Sequence, residues 1–477
     1  MTKSTESLLF ALQEHGKSGT VPFHMPGHKR NAALAPYLNT LNADLDITEI
    51  PNFDDLHDPQ GILKNGQARC AALYGADRSF FLINGSTAGL LAGIRAATRY
   101  GDTVIMSRTA HKAIYHAIEL CGLRPVFLLP DTIEGFGCAA SIRPQQVADA
   151  LAAHPEAGLV ILTSPTFDGV VSDIEGICAI AQGRNVPVLV DEAHGAHFGL
   201  SPHFPKSAIQ LGADLVIQSF HKTLPSLTQT AVLHGRGGLV SMDEVQRQLG
   251  IFQSSSPSYL LLASLDSCVS LLESRGAALF DAWHARLSRF YATVSALCQL
   301  RLLSKETDPV GIFDFDRSKI VLSTARSSYS GVSLMEGLRL DYHIQLEMAL
   351  EEYATAMTGM GDTDGGLYAL AQALLSLGAA AKPRTEKPSS LAPLPLPQQV
   401  HTPAQAADMA WELIPIGESC GRISAESIWA YPPGIPLVIP GEEISAALLS
   451  RVSSLVTSGI KCIGTRGQPA ERIAVLL

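Results

Sequence analysis

VPVLVDEAH at 186–194 and ADLVIQSFHK at 213–222 decide the fold. Each begins as a nearly unbroken apolar run and then breaks off in charged or polar residues. Runs that are apolar throughout, rather than alternating, are what strands need when helices cover both faces of a mostly parallel sheet. Five more such runs appear on working outward: FFLIN at 80–84, TVIMS at 103–107, PVFLL at 125–129, GLVILTSP at 158–165 and TAVLHG at 230–235. Helix-length stretches separate most of them, so the seven signals predict one large α/β domain with a mostly parallel seven-stranded sheet.

A chain of 477 residues with 46% hydrophobic and 17% charged side chains is long enough to bury a full core without cross-links, in two to four domains. Disorder, collagen-like repeats and disulfide scaffolds are excluded by that balance. Asp plus Glu outnumber Lys plus Arg by 45 to 35, a formal charge of −10, which argues against a nucleic-acid surface and would steer cations. The eight cysteines, at 70, 121, 138, 178, 268, 298, 420 and 462, form no C-x-x-C pair. Reduced thiols in the cytoplasm are expected. The apolar stretch at 8–12 is too short for a secretory core, and no run approaches the roughly 18 residues of a membrane helix.

The division expected along the chain is an N-terminal arm over residues 1–50, a large α/β domain over 51–260 and a helix-rich small domain over 261–380, with strand candidates such as KIVLS at 319–323. Prolines at 383, 388, 393, 395, 397 and 403 mark 381–403 as a connection. Residues 404–477, with IPLVIP at 435–440 and RIAVLL at 472–477, suit a small α+β module.

In open α/β sheets the site lies outside the carboxyl ends of the strands, so the polar residues that follow each run are the ones to weigh. Gly85-Ser86-Thr87 stands where a strand ends and a helix begins, a place where free N–H groups and the helix dipole favour an anion. Taken alone it is weak evidence, and a Ser/Thr helix cap is the better reading. Lys222 follows a buried strand, where partial desolvation lowers an ammonium pKa and leaves a nucleophilic amine. Asp191 ends another strand and needs a cationic or hydrogen-bonding partner. Either of these two could separately belong to an ordinary ion pair. Together, an anion site, a lysine and a strand-end carboxylate point to pyridoxal phosphate (PLP), a cofactor with a phosphate, a ring nitrogen that must stay protonated and an aldehyde that condenses with a lysine. A D-x-x-H-x-x-H metal site on Asp191, His194 and His197 is the competing assignment, disfavoured because a strand end cannot supply the helical spacing.

The chain resembles the ornithine/lysine/arginine decarboxylase family of fold-type-I PLP enzymes, whose large domain is aspartate-aminotransferase-like. The stretches that carry the resemblance include TVPFHMPGHKR at 20–30, DITEIPNFDDLHDPQG at 46–61, FFLINGSTAG at 80–89, SRTAHKAIYHA at 107–117, VDEAHGAHFG at 190–199, SFHKTLPSLTQTAVLH at 219–234 and GRISAESIWAYPPGIPLVIPGE at 421–442. It implies a decarboxylase that converts lysine, ornithine or arginine to a diamine or agmatine and CO2, with smaller α+β domains after the large one. It implies Lys222 as the lysine that binds PLP, Asp191 as the partner of its ring nitrogen and His111 as the ring stacked on it. Ser86, Thr87, Ser219 and His221 would hold the phosphate, Ala193 and His194 would face the ring opposite His111, and Ser255 would reach a neighbouring subunit's phosphate. Lys222 or His221 would return a proton to the substrate. For the distal cation the candidates are Glu426 and Glu442 near the C-terminus and Asp46 or Glu49 near the N-terminus, with no order among the four, and His28, beside His24, would help orient the substrate. A homodimer or a small multiple of one is implied, in polyamine formation. Departures from the family pattern are Phe167, where Tyr is usual, and Pro403-Ala404-Gln405-Ala406 in place of Pro-Arg-Glu-Ala; with the matched stretches starting at residue 20, the longer members' receiver-like N-terminal domain is not expected. The alternatives are another fold-type-I enzyme, an aminotransferase or aldolase-like lyase for which Arg339 is the obvious carboxylate clamp, or a silent PLP-binding relative.

Overall fold

The structure, a computed structural model, describes residues 7–31, 33–34, 36–384, 395–431, 435–468 and 471–477. All seven apolar runs form strands. In chain order the strands are β1 (Arg78–Leu82), β2 (Thr103–Ser107), β3 (Arg124–Leu128), β4 (Leu159–Thr163), a two-residue β5 (Val170–Val171), β6 (Val188–Asp191), β7 (Leu215–Gln218) and β8 (Ala231–Gly235). The chain divides into two compact units. One holds Met1–Ala97, Leu189–Ala282 and Gly359–Gly361; the other holds Thr98–Val188, Trp283–Thr358 and Asp362–Leu477.

The strand order in the first unit is β1-β8-β7-β6. There β6 runs parallel to β7, and β8 is antiparallel to both of its neighbours. In the second unit β2 lies between β3 and β4 and is parallel to both. Leu189, Val190, Leu215, Val216 and Ile217 are completely buried, which is why these runs show no polar alternation. The fold is α/β and mostly parallel, as expected from the runs.

The helix Gly85–Ala97 follows β1 closely. Gly85 takes φ +72°, a left-handed turn that glycine adopts without a Cβ clash. A Cβ on Gly89 would stand 2.6 Å from Leu82 Cδ1 and 3.2 Å from Ile217 Cγ2, so glycine lets the helix lie directly on β1 and β7. That close seat fixes where the first turn of the helix, and Ser86 in it, stands.

The second unit continues with β9 (Arg301–Leu302), β10 (Asp314–Phe315), β11 (Lys319–Ser323), β12 (Met348–Ala349) and β13 (Tyr353–Met357). An antiparallel sheet of order β12-β13-β11-β9 packs with the helices Gly331–Asp341 and Asp364–Ala380 around Leu322, Leu334, Leu338, Leu370 and Leu374. The run KIVLS is β11. Of the proline-rich stretch, residues 385–394 lie outside the described residues, and Thr402 then caps the helix Pro403–Ala407. The C-terminal stretch pairs β14 (Trp411–Pro415) with β18 (Arg472–Leu476) and sets β15 (Ile428–Tyr431) between β16 (Ile435–Val438) and β17 (Lys461–Gly464). With the helix Ala446–Thr457 they enclose a core of Ile428, Val438, Leu448, Val452, Ile473 and Val475, so this stretch is α+β. Among the described residues no helix is long and apolar enough to cross a membrane. All eight cysteines are free thiols.

Candidate active site

Three strand ends of the first unit supply most of the expected residues. Ser86 lies one residue into the helix after β1, Asp191 ends β6 and leads into Ala193 and His194, and Ser219 follows β7 and caps a single helical turn, Phe220–Thr223, which carries His221 and Lys222. Because β6 and β7 pair directly and only β8 lies between β7 and β1, residues far apart in sequence meet. Ser86 Oγ and Ser219 Oγ are 2.6 Å apart. Lys222 Nζ is 2.8 Å from His194 Nε2. Asp191 Oδ1 accepts from Ala193 N at 3.2 Å.

The electrostatics follow from burial. Asp191 is 3% exposed, and desolvation pushes its carboxyl up, opposed by the Lys222 charge and the Ala193 N–H. His221 is shifted down, mainly by burial. Its Nδ1 lies 2.8 Å from the carbonyl oxygen of Thr230, an atom that only accepts, so the ring proton sits on Nδ1 and Nε2 keeps a lone pair. Thr87 is exposed on the same helical turn as Ser86.

These groups suit PLP. Two hydroxyls converging at the start of a 13-residue helix match a phosphate, a buried carboxylate matches a protonated ring nitrogen, and a lysine amine stands between His194 and the field of Asp191. Ser255 is exposed on the surface of the same unit, between Ser254, whose N–H donates to Asn84 Oδ1 at 3.0 Å, and Ser256. His28 is also in this unit. Its Nε2 is 3.2 Å from Asp46 Oδ2, and its Nδ1 accepts from Arg30 N at 3.0 Å, so both ring nitrogens are engaged within the N-terminal arm.

The second unit holds His111, Glu426 and Glu442. His111 caps the helix Lys112–Leu120, its Nδ1 accepting from Ala113 N at 3.2 Å. Both glutamates, expected at the distal cation, are fully buried and engaged with protein groups instead. Glu442 takes a bidentate pair from Arg108 at 2.7 and 2.9 Å, plus Ile439 N at 2.9 Å. Burial raises its carboxyl pKa and the facing guanidinium opposes that; the fork geometry is that of an ionised pair. Leaving one charge of such a pair unmatched costs about 3–5 kcal/mol. Glu426 accepts from the backbone N–H groups of Arg466 at 2.7 Å, Gly467 at 2.9 Å and Ala474 at 2.7 Å, tying the turn after β17 to β18. The physical reason is the same for both: a carboxylate with no access to water must be satisfied by the chain itself.

Arg108 is the residue that sequence reasoning passed over. An arginine placed directly after the buried β2 demands a carboxylate, but the sequence does not say which of 45 acidic residues meets it. Phe167 packs with Val170, Phe315 and Tyr353, and Arg339 is exposed on its helix. His197 packs edge-on against Phe198 and Phe204. Among the described residues no three His, Cys, Asp or Glu side chains are grouped to hold a metal.

Comparison with known proteins matches this architecture. The model of the Orn/Lys/Arg decarboxylase major domain matches residues 7–303, and that of the Orn/Lys/Arg decarboxylase C-terminal domain matches residues 389–456. An arginine decarboxylase of Halalkalibacterium halodurans is 32% identical over 484 aligned residues, covering 100% of this chain and 99% of its own. One from Bacillus subtilis is 32% identical, with the same shares of both chains covered. The crystal structure of a lysine decarboxylase from Francisella novicida superposes with a TM-score of 0.84 at 18% identity, over 100% of this chain and 82% of that one. The solved structure carries the likeness of fold, and the sequence matches run through both the major and the C-terminal domain, so this chain belongs to the Orn/Lys/Arg decarboxylase family.

Proposed function

We propose that this chain is a PLP-dependent decarboxylase of a basic amino acid, with arginine, which would give agmatine and CO2, ahead of lysine and ornithine. The observation that carries the proposal is the meeting of Ser86, Ser219, Asp191, His194 and Lys222 at strand ends of one sheet. The preference for arginine rests on relatives bearing that name at 32% identity over the whole chain, against 25% for one named lysine decarboxylase.

Ser86 and Ser219 hold the phosphate by their hydroxyls, with Thr87 and His221 beside them. Asp191 keeps a proton on the ring nitrogen. When bound, PLP supplies the sink for the electron pair left on Cα as CO2 departs. Lys222 would anchor the cofactor and would hold a proton at Nζ for the substrate; His194, 2.8 Å away, orients that amine. His221, neutral and with a lone pair on Nε2, is the second group able to move a proton. In this proposal residues 51–260 form the cofactor domain and residues 404–477 the C-terminal module.

With Glu426 and Glu442 occupied, the distal cation falls to Glu49. Its Oε1 is buried and makes no hydrogen bond among the described residues, an arrangement that a guanidinium would complete. Glu49→Gln should therefore raise KM for the basic amino acid by about tenfold or more while kcat stays within about twofold, because the contact is alike in ground and transition states.

A homodimer and a cytoplasmic location complete the proposal. Val21, Phe23, Met25, Leu34, Tyr37 and Leu41 are 60–95% exposed within a single short stretch of the arm, more large apolar surface than a lone subunit ordinarily shows to water. Free thiols throughout suit a reducing compartment.

The test is a substrate panel. Purified protein with PLP, given arginine, lysine, ornithine and neutral amino acids in turn, should release CO2 and the matching amine in equal amounts, fastest from arginine. Preference for neutral amino acids would refute the proposal.

A further inference from the structure

The turn that carries Asp191, Ala193 and His194 is gripped by a buried carboxyl group to which the chemistry above gives no part. Glu192 is 2% exposed and accepts three hydrogen bonds, from Ser207 Oγ, Gln218 Nε2 and Ala208 N, each at 2.7 Å. Its own N–H donates to Ile217 O at 2.9 Å, and its carbonyl accepts from Gly195 N at 2.9 Å. Gln218 Nε2 also lies 3.4 Å from Gly195 O. The turn is thus held through backbone and side chain together.

The grip extends across the sheet of the first unit. Gln218 Oε1 is 3.1 Å from His234 Nε2, and His234 Nδ1 is 2.7 Å from Ser79 Oγ. Burial lowers the His234 pKa to about 3, so the ring is neutral and carries one N–H. The Gln218 amide spends its N–H on Glu192 and offers its oxygen to the ring, which places that proton on Nε2. A directional row results: Ser79 O–H to His234, His234 N–H to Gln218, Gln218 N–H to Glu192. It takes one residue each from β1, β8 and β7 and ends next to the last residue of β6. Apolar side chains would fill this interior without the cost of burying four polar groups. The row instead converges on the residue beside Asp191.

We propose that Glu192 is a positioning residue, which holds the Asp191–Gly195 turn so that Asp191 meets the cofactor ring nitrogen and His194 meets Lys222. The inference rests on the proposed PLP site and names the buried group that keeps it in register.

The experiment compares the parent with Glu192→Ala, Glu192→Gln and Ser207→Ala. In cofactor-free protein, Glu192→Ala should speed hydrogen exchange of the amides from Asp191 to Gly195. Its Kd for PLP, from fluorescence titration, should rise by about tenfold, and kcat at saturating PLP should fall by about tenfold or more with KM little changed. Glu192→Gln, which keeps one acceptor oxygen, should recover most of each loss. Ser207→Ala, which removes one donor of three, should show the same changes at a few-fold. A purely structural Glu192 would lower Tm alone; parental exchange, PLP affinity and kcat in a folded Glu192→Ala protein would overturn the proposal. Should that variant not fold, parental values in Ser207→Ala would overturn it equally. A parent that neither binds PLP nor releases CO2 marks failure of the underlying site, a result seen without any variant.

Discussion

Lys222→Ala protein should fold as the parent does, lose PLP on gel filtration and decarboxylate roughly 10^4-fold more slowly or worse. Two functions go with one amine. Lys222 is the only lysine among the gathered strand-end residues, so no other amine stands ready to anchor the cofactor aldehyde. It also holds a proton beside His194, with 2.8 Å between Nζ and Nε2. The substitution removes a half-buried side chain from the single turn Phe220–Thr223 and leaves Phe220, which is buried, in place, so stability should change little. Circular dichroism with a decarboxylation assay checks both halves. Activity within tenfold of the parent would remove Lys222 from the chemistry.

Asp191→Asn is expected to lower turnover by about 10^2 to 10^4-fold while PLP still binds. An amide has nearly the size and shape of the carboxylate, and its oxygen can still accept from Ala193 N, as Asp191 Oδ1 does at 3.2 Å. What it lacks is the charge. A carboxylate buried to 3% exposure acts through a medium that screens it weakly, so its pull on a ring-nitrogen proton is strong, and a neutral amide provides none of it. PLP affinity should weaken only modestly, because the phosphate contacts of Ser86 and Ser219 are untouched. Kinetics beside an absorbance titration distinguish the two effects. Near-parental kcat would show that the ring nitrogen does not depend on Asp191.

The parts of the molecule that could be read in the sequence are those settled by near neighbours in the chain. A strand buried on both faces must be an unbroken apolar run, and all seven runs became strands; the residue after such a run must stand at the strand's end, which is how Asp191, Ser219 and Lys222 came to notice. The strand order β1-β8-β7-β6, which brings Ser86 within 2.6 Å of Ser219, needed the topology. Longer-range pairing left less trace. Glu442 meets Arg108 across 334 positions, and Glu426 is spent on amides 40 to 48 positions away, so both looked available for a cation until the fold supplied their partners. Glu192 was hidden differently: it sits inside the DEAH stretch but gains its meaning from Gln218 and Ser207 on other segments.

Borohydride reduction of the PLP-loaded protein followed by peptide mapping tests the central claim most directly. Reduction should abolish the visible absorption band and fix one pyridoxyl group per chain, on the peptide that contains Lys222. A label on Lys29 or Lys112, or no reducible band at all, would contradict a cofactor site built from the ends of β1, β6 and β7.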